Sequence, residues 1–537
     1  MKQIRSIRRG LATLLTAFFI LPLTAASSLP LPAPEATASI TVRELKKHLG
    51  FLASNELGGR YTLSPSILVA ARYLASELES YGYRGGARDG SFFQKVPLSF
   101  RSVDLSQSGL TLSRAGAKQE FKYADDFATQ TPSNINLSGD LVFVGYGVSS
   151  PRNKHDDYAG LNVKGKIVVA VAGLPASLKG AKLEASEKVA GAAQSRGAVG
   201  AIIIEPHYLA QWGLVKNYIL RETASLPPPP SPSGKDFPAF VAGPNLVTAI
   251  ASAINKEASY LTSAAGKPLQ PSPLPVTAAI KLAATVKDAP PTYNVVGILE
   301  GADAELKNEY VVFSAHYDHL KTSNGGEVYN GADDDGSGTV GVLEIAQAFS
   351  VGPRSVRSIL IIFHTAEEMG LLGSMYNTDY EPAVPLDKLV ANFNIDMIGR
   401  SRAEGNNDPR DKELTDKDSV YVIGADKLSS ELNRISEETN AATARMKFDY
   451  TYNDEGHPQQ FYYRSDHYNY AKHGIPIIFY FTGVHRDYHR ATDDIEKIDF
   501  EKIERISRLV FATGWRVANM ERRLVVDKKP AAPASMQ

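Results

Sequence analysis

The spacing of apolar residues changes along the chain, and the changes divide it. "ITVRELKKHLGFLA" (40–53) and "SPSILVAARYLASELESYGY" (64–83) repeat apolar side chains every three or four positions, so 40–85 is expected to be helical, with Ser64 or Ser66 as a cap. A strand-rich stretch follows over about 92–130. Beyond 138, "GDLVFVGYGV", "GKIVVAVAG" and "VGAIIIEP" are short β-branched runs bounded by glycine, with the helical "LEASEKVAGAAQSRGA" among them. These predict a small α/β module. Within it, "LPPPPSPSGKDFP" (226–238) offers too few backbone donors for a helix or central strand and reads as a surface loop.

The second half alternates regularly. "EYVVFSAH", "SILIIFHT", "LVANFNIDM" and "IPIIFYFTG" are continuously apolar strands, while "TVGVLEIAQAF" and "MGLLGSMYN" are helices. Strands buried on both faces and joined by helices predict an α/β fold with a mostly parallel central sheet and helices on both faces. In such sheets, ligands gather beyond the carboxyl ends of the strands. The expected units are an N-terminal piece (40–134), an inserted α/β module (135–255), a connector (256–289), an α/β domain (290–522) and a flexible tail (523–537).

The first 39 residues fit neither pattern. Lys2, Arg5, Arg8 and Arg9 precede "LATLLTAFFILPLTAA", with small residues around Ala26, which is the plan of a cleavable export signal over 1–26. The apolar run is short and broken by Pro22, which argues against a membrane anchor. A Pro/Ala-rich leader, expected to be extended, occupies 27–39. The expected location is outside the cytoplasm, periplasmic or secreted, with no membrane anchor after cleavage.

Composition narrows the chemistry. Lys plus Arg is 58 against 59 for Asp plus Glu, a balance that gives no reason to expect a nucleic-acid partner. Cysteine is absent, so disulfides, thiolate metal sites and cysteine nucleophiles are excluded together. Any metal must be held by histidine and carboxylate. Eight of the eleven histidines lie between 316 and 489, and each strand of the second half runs into ionisable side chains. His316, Asp318 and His319 follow the first; His364, Glu367 and Glu368 the second; Asp396 the third; His485, Asp487, Tyr488 and His489 the fourth. Converging at strand ends, these groups would repel unless a cation or protons compensated. A cysteine-free His/carboxylate set suits zinc, with manganese or cobalt as alternatives. Two ions sharing a carboxylate would neutralise more of the charge than one, and such pairs activate water for hydrolysis.

"YNGADDDGSGT" (329–339) does not match other loops with crowded acids. An EF-hand would need an acid at 331, where glycine stands, and a P-loop would end in Gly-Lys-Ser/Thr. Ser465 in "RSDHY" lacks the G-x-S-x-G turn of a serine hydrolase.

"AHYDH", "NGADDDGSG", "HTAEEMGLLGS", "NIDMIG" and "YHRATDD", in this order, resemble the co-catalytic dizinc aminopeptidases of peptidase family M28 over roughly 290–520. "LGFLASNELGGR" is similar to that family's N-terminal piece, and 135–255 looks like an inserted protease-associated domain. The resemblance implies two zinc ions per chain. His316, Asp334 and Asp396 match one ligand set, and Asp334, Glu368 and His489 the other, with Asp334 bridging. His485 and His473 compete with His489 for the last place. Glu367 matches the general base, Asp318 the carboxylate that orients His316, and Tyr488 a residue that steadies the oxyanion. His319, His364 and His467 are expected around the pocket rather than on metal. The implied activity is hydrolysis of N-terminal residues from peptides with a free N-terminus, through a metal-bridging hydroxide and the glutamate base. A carboxypeptidase or other amidohydrolase on the same fold is the nearest rival. A mono-zinc glutaminyl-cyclase-like enzyme and a non-catalytic ectodomain are others.

Overall fold

A computed structural model describes residues 29–529 apart from 130–131, 182, 221–223, 228–236, 264–265, 324 and 455. The export signal, most of the proline run at 226–238 and the last eight residues lie outside the described residues.

The apolar runs of the second half build one sheet. Ser358–His364, Tyr310–His316, Leu389–Ile395 and Ile477–Phe481 lie side by side and parallel, every residue of the first and third being buried. Their carboxyl ends therefore share one edge, with His316 directly opposite His364. The expectation of a mostly parallel sheet holds for this centre only. Thr292–Leu299 joins one side antiparallel and Ser419–Ile423 the other, with Lys447–Asp449 parallel beyond it. Arg84–Gly85 and Phe93–Val96 add antiparallel to Thr292–Leu299. Neither Thr292–Leu299 nor Ser419–Ile423 is preceded by the crossover helix that parallel pairing requires.

The helices are distributed less evenly than expected. Val42–Leu52, Pro65–Ser80, Gly338–Ser350, Ser430–Ala442 and Phe500–Ala518 share one core on one face. The other face carries short helices such as His467–Ala471 and a cluster of rings including Tyr452, Phe461, Tyr462 and Tyr470. Large aromatic side chains cover a sheet with less chain than a helix needs.

Two terminal segments are more ordered than their composition suggests. Pro34–Ser39 is helical rather than extended, with Pro34 in the first turn, where no donor is missed, and Ala36 and Ile40 are buried. At the other end, Leu524 is buried and Arg523 donates to Glu309 and to the Leu389 carbonyl, so residues 523–529 are docked.

The inserted module is wider than 135–255. Its sheet runs, in order, Ala117–Lys122, Gly109–Arg114, Ser272–Leu282, Ile135–Phe143, Ile167–Val171, Gly200–Ile204, Ala239–Ala242 and Phe127–Ala128. The long Ser272–Leu282 strand, placed in a connector by sequence, alternates buried and exposed residues and pairs with strands on both sides. A strand after a long insertion finds its partner by pairing, which chain order does not show. Ser99–Val103 pairs with Ala224–Ser225 and Ala284–Asp288 in a small sheet alongside.

Candidate metal centre

The loops beyond the four parallel strands converge. His316 ends its strand, Glu367 and Glu368 lie just past His364, and Asp396 follows Ile395. Three non-glycine residues here adopt left-handed backbone: Ala366 (φ 56°), Met397 (φ 55°) and His489 (φ 56°). Each stands at or within two residues of an expected ligand, and this conformation costs about 1–3 kcal/mol per residue, so the surrounding structure must hold it.

Residues 329–338 separate the three aspartates. Asp333 Oδ1 accepts from the Gly399 N–H (2.6 Å) and the Ser337 hydroxyl (2.8 Å). Asp335 Oδ1 accepts from the Gly338 and Met397 N–H groups, and its Oδ2 from the His316 N–H. Of the three, only Asp334 aims its carboxylate at His316 and His489. Gly331 (φ 53°) makes this turn possible, since a β-carbon there would overlap the Asp334 carbonyl oxygen and the His319 ring.

Two groups of donors meet at Asp334. His316 Nε2 is 3.3 Å from Asp334 Oδ1 and 3.7 Å from Asp396 Oδ1. His489 Nε2 is 3.1 Å from Asp334 Oδ2 and 3.2 Å from Glu368 Oε2. A tetrahedral zinc with bonds of about 2.0–2.1 Å spaces its donors by roughly 3.3–3.4 Å, so these separations fit the edges of two coordination shells. The buried Asp334 Oδ2 receives no hydrogen bond, as expected of an oxygen that faces a cation. Without a cation, the groups draw protons. Burial would lower the His489 pKa, but its contacts with Asp334 and Glu368 outweigh this and push it up to about 10. Burial raises the Glu367 carboxyl well above the carboxylate range; His316 opposes, and Glu368 and Asp396 add to the rise. The residues present therefore fit a pair of divalent cations.

The competing histidines have other partners. His485 Nε2 faces Asp333 Oδ2 at 3.2 Å, and His473 pairs with Asp379 at 2.6 Å. His364 meets the Tyr470 hydroxyl and His467 the Tyr462 carbonyl, both away from Asp334. His319 sits closer than the sequence suggested. Its Nδ1 is 2.7 Å from Glu368 Oε1 and 3.7 Å from Asp334 Oδ2, which places a second imidazole beside His489. The expected part for Asp318 also shifts. His316 Nδ1 is 3.1 Å from the Asp318 carbonyl but 3.8 Å from its carboxylate, so the carbonyl orients the ring. The carboxylate instead accepts from the Thr62 hydroxyl (2.7 Å) and the Glu367 N–H (3.1 Å).

Glu367 Oε2 is 3.8 Å from His316 Nε2, beside the donor groups without bridging them. Tyr488 stacks on His489, with ring centroids 3.8 Å apart, and faces the same small cavity as Glu367. Burial first, then the Asp334 and Glu368 charges, raise its phenol pKa far above the usual value, so it remains a donor. Met397, Phe461, Phe479, Phe481 and Val484 wall that cavity.

Sequence reasoning missed the residues that brace the centre. Buried Asp493 Oδ2 accepts both the Asp333 and Asp334 N–H groups, and the Ser465 hydroxyl donates to Asp396 Oδ2 at 2.8 Å. Arg60, fully buried, donates to the carbonyls of Leu52, Tyr317, Asn330 and Gly331. All three lie inside stretches the sequence had singled out: the first of the two closing aspartates of "YHRATDD" for Asp493, the end of "LGFLASNELGGR" for Arg60, and "RSDHY" for Ser465.

Comparison with known proteins finds similarity over the same region. Residues 294–514 match the model of peptidase family M28. An aminopeptidase of Bacillus subtilis, YwaD, is 29% identical over 243 residues, 44% of this chain and 47% of the relative. A probable leucine aminopeptidase 2 of Aspergillus oryzae is 39% identical over 108 residues, 20% of each chain. The match thus spans about half the length of the first relative and a fifth of the second. Among solved structures, an aminopeptidase from Aneurinibacillus sp. strain AM-1 superposes with a TM-score of 0.45 at 19% identity, covering 93% of this chain and 99% of that one. A zinc aminopeptidase from Bacillus subtilis gives a TM-score of 0.42 at 22% identity, covering 93% and 98%. Residues 294–514, the part of the chain that is similar to peptidase family M28, contain every residue of both donor groups.

Proposed function

We propose that the chain is an exported two-zinc aminopeptidase that removes N-terminal residues from peptides. The observation that carries this reading is the Asp334 carboxylate, with one oxygen turned to His316 and the other to His489. His316, Asp334 and Asp396 would hold one ion, and Asp334, Glu368 and His489 the other. Zinc there would supply Lewis acidity towards the scissile carbonyl and make water nucleophilic near neutral pH.

The protein's own groups have distinct tasks. Glu367 lies outside both donor sets, so its carboxylate is free to take the proton of the attacking water and deliver it to the leaving nitrogen. Asp318 fixes the backbone of Glu367 through its N–H. The Tyr488 hydroxyl donates to the oxygen on which negative charge develops. The small cavity beside them has one apolar wall, of Phe461, Phe479, Phe481 and Val484, which suits the side chain of a single apolar terminal residue. Relatives that bear the name aminopeptidase support this choice. The inserted sheet we read as a protease-associated module that limits access to the centre.

One observation favours a second reading. Arg464 lines the same small cavity, and its cation would suit a substrate's terminal carboxylate, as a carboxypeptidase requires. A panel of aminoacyl-anilides and their N-acetylated counterparts, assayed with chelator and with added zinc, separates the two. The aminopeptidase reading expects zinc-restored cleavage of free-amine substrates alone. Faster cleavage of N-acetylated peptides bearing a free carboxylate would overturn it.

A further inference from the structure

The donor groups lie between two cavities of different character. The small one touches His316, Asp396 and Glu367. On the other side, His319 and Glu368 open into a cleft of about 990 Å³, with His489 bordering both. Sites for small ligands occupy about 300–1,000 Å³, so the cleft is large for one side chain and open enough for several. One wall belongs to the catalytic domain, with Leu63, Met369 and Leu372 half-buried. The facing wall belongs to the inserted module, whose helix Trp212–Leu220 and the short helix Pro206–Ala210 before it present Leu214, Val215 and Tyr208.

That helix is pinned rather than loosely apposed. The Trp212 indole N–H donates to the Asp125 carbonyl at 2.8 Å, which anchors the helix to the inserted sheet. Leu214, two residues on, is 66% exposed although it is a large aliphatic side chain. A leucine held in this way stands opposite three other apolar side chains, in a cleft that reaches the donor groups.

We propose that this cleft holds the peptide beyond the scissile bond, and that the inserted module reads the residues there through Leu214 and Val215, favouring apolar side chains at the second and third positions. The occupant follows from continuity with the centre. When a scissile carbonyl lies at Asp334 and one side chain fills the small cavity, the rest of the chain leaves past Glu368 and His489 into the cleft. The inference rests on the aminopeptidase reading and adds to it the class of substrate: oligopeptides with an apolar stretch after the first residue.

The test uses the full, zinc-loaded chain, with leucinamide, Leu-Phe-Val-amide and Leu-Gly-Gly-amide as substrates. Wild type should favour Leu-Phe-Val-amide over Leu-Gly-Gly-amide at least tenfold in kcat/KM. Leu214→Asp should lower kcat/KM for Leu-Phe-Val-amide about tenfold, equivalent to about 1.4 kcal/mol, mainly through KM, and leave leucinamide unchanged. Calorimetry of Leu-Phe-Val-amide binding to Glu367→Gln and to Glu367→Gln/Leu214→Asp should give the same factor in Kd. Equal losses on leucinamide and the tripeptide amide, or no loss on either, would overturn the proposal. If wild type cleaved none of the three, the aminopeptidase reading would fall. The two calorimetric affinities would still decide the cleft: equal values count against it, and a tenfold difference supports it.

Discussion

Arg60→Met is the substitution whose effect can be worked most directly from the structure. Methionine replaces the aliphatic stem of Arg60 and removes the guanidinium, and with it the charge and all the donors. Four hydrogen bonds are lost, to the carbonyls of Tyr317 (2.8 Å), Leu52 (2.8 Å), Asn330 (2.6 Å) and Gly331 (2.9 Å). A hydrogen bond from a charged donor contributes about 1.5–3 kcal/mol net, and an unpartnered buried carbonyl costs about 1–3 kcal/mol. Summing four such terms would overstate the loss, since loops relax and water can enter. Removal of one partner from a buried ionic network typically costs about 3–5 kcal/mol, and we expect about 4 kcal/mol for Arg60→Met. The loss should also reach the metal centre, because Arg60 joins the loop after His316 to the turn before Asp334. Residues that orient ligands typically alter metal affinity by about 10–100-fold, and a loss in this range is expected. Urea unfolding in chelator reads the stability, and competition with a chromogenic chelator reads zinc affinity. A destabilisation below about 1 kcal/mol together with unchanged affinity would refute the bracing role.

Other substitutions test other parts of the centre. Glu367→Gln should retain both zinc ions by metal analysis and lower kcat by about a thousandfold or more, within or beyond the usual reach of a positioned base; near-normal turnover would remove Glu367 from that role. Asp334→Ala should reduce bound zinc below two per chain, and a fully occupied pair of sites would contradict the bridge. His467 is fully buried, and burial pushes its pKa down from 6.5 to about 3. Between those values the unfolded chain binds a proton that the folded chain does not, so stability falls as pH drops from 6.5 towards 3, at up to about 1.4 kcal/mol per pH unit. His467→Gln, compared with wild type in chelator, should flatten the dependence of unfolding free energy on pH between 6 and 4.5. Identical slopes would show that His467 does not contribute to it.

The chain itself determined the residue types of the centre and their placement beyond strands. Continuous apolar runs become strands because β-branched and aromatic side chains suit a pleated, buried surface, and that signal is local. The absence of cysteine was likewise legible, and it restricted ligand chemistry to imidazole and carboxylate. Tertiary structure decided the rest. Which of three adjacent aspartates faces the histidines depends on donors at Gly399, Met397 and Gly338, two of them more than 60 positions away. The choice of His489 over His485 depends on Asp333 having already engaged His485. Arg60 reaches carbonyls about 270 residues distant, and Ser272–Leu282 joins a sheet whose other strands precede it by tens of residues. Periodicity reports which face of an element is apolar. It carries no information about which distant backbone group will meet a side chain, because that meeting is set by how the layers pack.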